Sequence, residues 1–134
     1  SAKLSCKFLF LTKNPKRYLE FQERFTGNIM LVATIETNRD YKLSGAPRTK
    51  ERYEAMKNLK WRHKAIVIEP ILDFDTEFIT WIKEISPELV YIGYDNYSNK
   101  LPEPMQDKTE MLIKQLGKIT DARPHDIRKA WYES

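Results

Sequence analysis

The chain is predicted to adopt a parallel α/β fold, and three observations predict it. Four short runs dense in β-branched and aromatic residues recur along the sequence, helical patterns separate them, and the runs are continuously apolar rather than alternating. Continuous apolar character is expected of strands covered on both faces. The order βαβαβαβα then calls for right-handed crossovers and a parallel sheet. Two architectures satisfy it: a four-stranded parallel (β/α) half-barrel or a small open sheet, in either case with a C-terminal helical appendage.

The first strand is Phe8 to Leu11. Pro15 suits a first helical turn, and Tyr18, Leu19, Gln22 and Phe25 follow at helical spacing until Gly27-Asn28 stops the helix. The second strand is Ile29 to Ile35. After the Ser44-Gly45-Ala46-Pro47 turn, a helix from Arg48 to Lys60 carries Tyr53, Met56 and Leu59 on one stripe. Ala65 to Ile68 is the third strand. The helix after it starts near Asp75-Thr76, either of which can cap it, buries Phe78, Ile79, Ile82 and Ile85, and ends at Ser86-Pro87. Leu89 to Ile92 is the fourth strand. Pro102 and Pro104 punctuate a loop before a helix from Gln106 to Leu116, whose inner face is Thr109, Leu112, Ile113 and Leu116. A short segment, Ile119 to Arg123, and a final helix near Asp126 to Trp131 complete the appendage.

One domain over residues 1–134 is expected, with four βα units in 1–104 and the last helix and appendage in 105–134. No apolar run approaches the roughly 20 residues of a membrane span, and no signal-peptide pattern is visible, so the expected compartment is the cytoplasm. The one cysteine, Cys6, excludes a disulfide framework, a four-cysteine zinc site and an iron–sulfur cluster held by this chain alone. Four glycines form no phosphate-cradling loop, which disfavours nucleoside triphosphate hydrolysis. Lys plus Arg at 23 against Asp plus Glu at 19 gives a net charge of +4, a mild basicity without an uninterrupted stripe.

Ligands of parallel α/β proteins gather at the carboxyl ends of the strands. Here those ends read Thr12-Lys13-Asn14-Pro15, Glu36-Thr37-Asn38-Arg39, Glu69-Pro70 and Gly93-Tyr94-Asp95-Asn96. Period-two geometry puts Lys13 on the face of Leu9 and Leu11, Glu36 with Val32 and Thr34, Glu69 with Ala65 and Val67, and Asp95 with Tyr91 and Gly93. If those faces point to one lumen, one ammonium and three carboxylates converge at a single rim. Such a set needs a bound cation, a cationic ligand or mutual pairing, because like charges in a poorly solvated site raise one another's pKa. The bland alternative for each carboxylate is a helix cap or a solvated loop. It is weakest for Glu69, which follows an apolar strand directly and is held extended by Pro70; that X-Pro bond is also a candidate for the cis form. The candidate ligand-binding residues are Lys13, Glu36, Asn38, Glu69, Asp95 and Asn96. His63 and His125 read as solvated turn residues, and no HxH, HExxH or paired-cysteine spacing supports a metal site. Trp61, Trp81 and Trp131 read as core or interface residues.

Four strand-end segments in this order carry a resemblance: Phe10-Leu11-Thr12-Lys13-Asn14-Pro15, Val32-Ala33-Thr34-Ile35-Glu36, Ile66-Val67-Ile68-Glu69-Pro70-Ile71-Leu72 and Val90-Tyr91-Ile92-Gly93-Tyr94-Asp95. Together they resemble the later strands of a radical S-adenosylmethionine family, the phage-type branch of unknown function, whose order is LTK-x-P, a strand ending in Glu, S-I-E-P-L and G-G-E. The resemblance spans 8–96 and implies a partial or full (β/α) barrel. It also implies an iron–sulfur cluster on a CxxxCxxC loop, and strand ends that bind S-adenosylmethionine and substrate at the positions of Lys13, Glu36, Glu69 and Asp95. This sequence lacks the cysteine loop and reads Gly93-Tyr94-Asp95 in place of G-G-E. The expected function is that of the C-terminal, cluster-less portion of such a protein, not catalytic alone. Four parallel strands leave open edges, so the expected partner is a missing N-terminal half or a second copy in a homodimer. The rivals are a self-standing binding or scaffolding domain that dimerises through its open edge, and a nucleic-acid-associated protein using a basic surface from Lys57 to Lys64 with Arg123, Arg128 and Lys129.

Overall fold

The computed structural model describes residues 8–25, 28–43 and 45–134. Its elements are β1 (Phe8–Thr12), α1 (Lys16–Phe21), β2 (Ile29–Thr34), α2 (Thr49–Asn58), β3 (Lys64–Ile68), α3 (Phe78–Ile85), β4 (Leu89–Gly93), α4 (Gln106–Leu116) and β5 (Asp121–His125). A 3-10 turn, Gln22–Arg24, prolongs α1. The strands form one parallel sheet in the order β1-β2-β3-β4-β5. Sequential order with right-handed crossovers sends every helix to the same side.

The packing agrees. One core cluster joins Leu31, Ala33, Ile35, Ile66, Ile68, Val90 and Ile92 of the strand region to Tyr18, Tyr53, Met56, Phe78, Ile82, Ile85, Leu112 and Leu116, so all four helices contribute. Among the described residues the second cluster, on the other face, is made of strand residues that are themselves buried: Met30, Val32, Ala65 and Leu89, each exposed by 5% or less, with Val67 and Tyr91 against them. At its β1 end, Leu9 and Leu11 are each 64% exposed. Among the described residues no helix is long and apolar enough to cross a membrane.

Among the described residues the sheet has five strands, not four. The fifth lies in the segment expected as a short addition from Ile119 to Arg123, displaced toward the C-terminus. The Thr120 hydroxyl donates to the Pro87 carbonyl and the Asp121 amide to the Glu88 carbonyl, which starts the ladder beside β4. Asp-Ala-Arg-Pro-His carries one apolar side chain on the covered face, Ala122, so the apolar-run signal was missing. Because the Asp121 amide points to β4, backbone alternation points Arg123 and His125 the same way and leaves Ala122 and Pro124 facing outward. Pro124 thus removes a donor from the free edge, where proline is tolerated and blunts further pairing.

The helix expected over Asp126 to Trp131 is absent from the structure. Asp126 has φ of 52°, and the residues after it run extended against the β4–α4 loop. The Arg128 guanidinium donates to both oxygens of buried Glu103 (2.9 and 2.8 Å) and to the Asp95 carbonyl (2.8 Å). The Trp131 amide donates to Glu103, the Tyr132 hydroxyl to the Glu103 carbonyl, and Glu133 accepts the Gln106 amide at the start of α4. These side-chain bonds hold the appendage in place of helical ones. The start of α3 also differs: neither Asp75 nor Thr76 caps it, and the helix begins at Phe78 because Asp75 is committed to Arg39. It ends as expected, with Ser86 in the left-handed region (φ 59°) and its amide on the Ile82 carbonyl. Gly27 and Ser44, named in the turn expectations, and Cys6 lie outside the described residues.

Candidate functional site

The first two strands deliver Lys13 and Glu36 to one place. Lys13 Nζ is 3.2 Å from Glu36 Oε2, while Arg52 of α2 reaches Glu36 Oε1 at 2.8 Å. Arg52 also donates to the Thr34 and Pro47 carbonyls at 3.0 and 2.7 Å, so a buried cation fixes both the end of β2 and the turn before α2. Mutual pairing thus settles the Glu36 charge. Sequence reasoning missed Arg52, although the signal was there: it sits on the same helical stripe as Tyr53, Met56 and Leu59, where a charge needs a partner.

Asn38 takes a different part. Its Oδ1 accepts the Asp75 amide at 2.8 Å, tying the β2–α2 loop to the β3–α3 loop. Around this tie, Arg39 pairs with Asp73 (3.1 Å) and Asp75 (2.8 Å), and Lys108 pairs with Asp73 (2.6 Å).

Asp95 is drawn into the β4–α4 loop. Its carboxylate accepts the amides of Tyr97 (3.2 Å) and Asn99 (2.9 Å) and the Asn99 side chain (3.2 Å). Burial opposes the Asp95 charge, but these donors outweigh it and hold the carboxyl below its ordinary range. Asn96 is exposed beside it, and both line a hollow of about 530 Å³ with Lys100, Arg128 and Trp131. Neither residue joins the Lys13–Glu36 pair. Tyr94, between them and β4, is buried on the covered face, and its hydroxyl meets Thr109 Oγ1 (2.7 Å) and the Pro104 carbonyl (2.9 Å). Burial pushes that phenol up to about 12.

Glu69 is the remaining carboxylate. The Glu69–Pro70 bond is cis. A Cβ built on Gly93 would stand 2.9 Å from Glu69 Oε1 and 2.9 Å from the His125 carbonyl oxygen, so the carboxylate lies across β4 toward β5, in room that only glycine leaves. Among the described residues the Glu69 carboxylate has no hydrogen-bond or ion-pair partner. It lines a cavity of about 480 Å³ with Val67, Tyr91, Arg123, Pro124 and His125. Arg123 and His125 entered this site unforeseen, because the sequence does not mark Asp121–His125 as a strand that would put Arg123 and His125 beside Glu69.

Several smaller expectations change. His63 is buried, with Nδ1 2.9 Å from Glu88. His125 stands on β5, its ring exposed and 3.0 Å from Asp126. The basic surface from Lys57 to Lys64 does not form as one patch. Lys64 is buried and donates to the Met56 and Leu59 carbonyls at the end of α2, as a C-terminal cap, and its burial lowers the ammonium pKa. Arg123 and Arg128 are likewise committed, to Asp121 and Glu103. Trp61 and Trp81 pack at the core, Trp81 stacked on Tyr53 at 4.5 Å, whereas Trp131 is about half exposed, 51%.

What the fold and site define is a parallel α/β sheet protein with its four helices on one side and a polar rim at its strand ends. No protein-family model matches the chain, and no curated protein and no solved structure matches it. The donor set for an iron–sulfur cluster does not fit this chain: a cluster is held by several cysteine thiolates, and the sequence has one cysteine.

Proposed function

We propose that the chain is the C-terminal portion of a radical S-adenosylmethionine-like (β/α) barrel protein, supplying substrate or cofactor contacts from the carboxyl ends of its strands without holding the cluster. One observation carries this reading: Glu69, just after β3, is a carboxylate in a cavity with no partner among the described residues, while Glu36 is ion-paired and Asp95 hydrogen-bonded within the fold. The sequential parallel order and the one-sided placement of the helices support it, since half of a (β/α) barrel has that topology. The strand-end segments that resemble the radical S-adenosylmethionine family include Lys13, Glu36 and Glu69, the residues nearest the rim.

The test is a titration of the ¹⁵N-labelled chain with S-adenosylmethionine to millimolar concentration. Saturable shifts at Lys13, Glu36, Glu69 and Gly93 are expected. Shifts scattered over the helices, or none, would overturn the reading.

The second reading, a self-standing domain that dimerises through its open edge, is favoured by β1, the outer strand of the sheet among the described residues, with exposed Leu9 and Leu11. It requires a mass of twice 16.0 kDa by light scattering at micromolar concentration. Head-to-tail closure onto β5 is disfavoured by the outward Pro124.

A further inference from the structure

The hollow of about 530 Å³ between the β4–α4 loop and the C-terminal tail is walled by polar groups in two conditions. Its carboxylates are spent: Asp95 accepts three donors from its own loop, and Glu103 accepts Arg128 through both oxygens together with the Trp131 amide. Arg128 is spent with them. The remaining donors are not. Among the described residues Lys100 has no carboxylate partner, Lys129 Nζ donates to the Ser134 backbone oxygen at 2.8 Å, and neither the Asn96 amide group nor the Ser98 hydroxyl is bonded. Ser98 (φ 56°) and Lys100 (φ 51°) take left-handed backbone, uncommon outside glycine, and both line the hollow. Trp131 completes the wall. Its amide is bonded to Glu103 and its indole N–H to the Leu101 carbonyl at 2.7 Å, yet the residue is half exposed, so a fixed ring is presented to solvent. Lys100 Nζ stands 5.9 Å from the ring centroid, at the outer limit of a cation–π contact, which leaves the ammonium free to serve another group. A fixed aromatic ring beside unspent cations and donors selects a ligand with a flat ring and an anionic group.

We propose that this hollow binds a nucleotide, its base stacked on Trp131 and its phosphate held by Lys100 and Ser98, with Lys129 as the second cation. The nucleotide is free or one unit of a single strand, since both present the same ring and phosphate. The hollow shares no lining residue with the Glu69 cavity, and the inference does not depend on the reading of that rim. A nucleoside lacks the charge that the lysines answer, and inorganic phosphate lacks the ring.

The experiment titrates the ¹⁵N-labelled chain at constant ionic strength with uridine monophosphate, uridine, inorganic phosphate and octathymidylate, following the tryptophan indole signals and the Ser98 and Lys100 amides. With the monophosphate, saturable shifts are expected at the Trp131 indole and at both amides, while the packed Trp61 and Trp81 indoles stay still. Uridine and phosphate are expected to bind roughly tenfold more weakly, and Lys100→Gln, which leaves the bonds of Trp131 in place, to lose roughly fivefold in affinity. Trp131→Leu, read at the two amides, is expected to lose roughly tenfold. Equal affinity for uridine or for inorganic phosphate, unaltered binding in Lys100→Gln or Trp131→Leu, or no saturable shift with either the monophosphate or the octamer overturns the proposal. Tighter binding of octathymidylate than of the monophosphate identifies a single strand as the source of the nucleotide, and equal or weaker binding identifies the free form.

Discussion

The two faces of the sheet are built to different standards. On the helix side, Ile66, Ile68, Val90 and Ile92 are fully buried beneath four helices, and the polar groups there are bonded: Tyr18 to the Val32 carbonyl at 2.8 Å, Tyr94 to Thr109 and Pro104. On the other side Met30, Val32, Ala65 and Leu89 are buried too, but the described residues packed there are strand residues, Leu9 and Leu11 at the β1 end are exposed, and the Glu69 carboxylate has no partner among the described residues. The contrast separates stability from function. The helix side holds the larger core, and the other side keeps a charge with no partner among the described residues that the rest of the molecule must tolerate.

The largest effect that would test this contrast is on core packing. Ile66→Ala is expected to cost about 4 kcal/mol by urea denaturation, whereas Leu11→Ala at the exposed β1 end of the other face should cost less than about 0.5 kcal/mol. Similar losses at both positions would show the faces to be equally covered. Next come the two rim glutamates, which should respond in opposite directions. Glu36→Gln leaves Arg52 buried without its full counter-charge, and about 3 kcal/mol of stability should be lost. Asp95→Asn is expected to cost about 1 kcal/mol at neutral pH. The Asp95 carboxyl is held below its ordinary value in the fold, so its stabilisation is complete above about pH 4 and drains away as pH falls through the folded pKa. The difference between wild type and Asp95→Asn in urea midpoint should therefore close in that acid range, and a gap unchanged down to pH 2 would contradict it. The smallest effect carries the opposite sign. Glu69→Gln should raise stability by about 0.5 kcal/mol, since it removes an unpartnered charge. A loss there would mean that Glu69 is bonded in solution.

Most of the covered half of this contrast was legible in the sequence. Continuous apolar runs placed the first four strands within a residue or two, and Gln106–Leu116 was read with its ends correct, because a periodic stripe of Thr109, Leu112 and Leu116 needs no tertiary information. What escaped was decided by side-chain bonds between distant segments. β5 has the composition of a loop and becomes a strand through its neighbour β4. The tail lost its helix to Glu103, a residue no periodicity connects to Arg128. At the site, alternation put Lys13, Glu36 and Glu69 on one face, but it could not show that Asp95 would turn into its own loop or that Arg52 would arrive from a helix. Pairing, not position, separates Glu69 from the other carboxylates.

The proline on the outer rail of β5 has one more consequence. Edge-to-edge aggregation is a polymerisation, and a polymer grows only through monomers that can be joined at both ends. Among the described residues this sheet offers β1 as its one fully equipped end, with Pro124 acting as a chain terminator at the other. Molecules that meet through β1 use up their only reactive end in doing so. Association by strand addition would then stop at a pair, and a filament would have no way to lengthen.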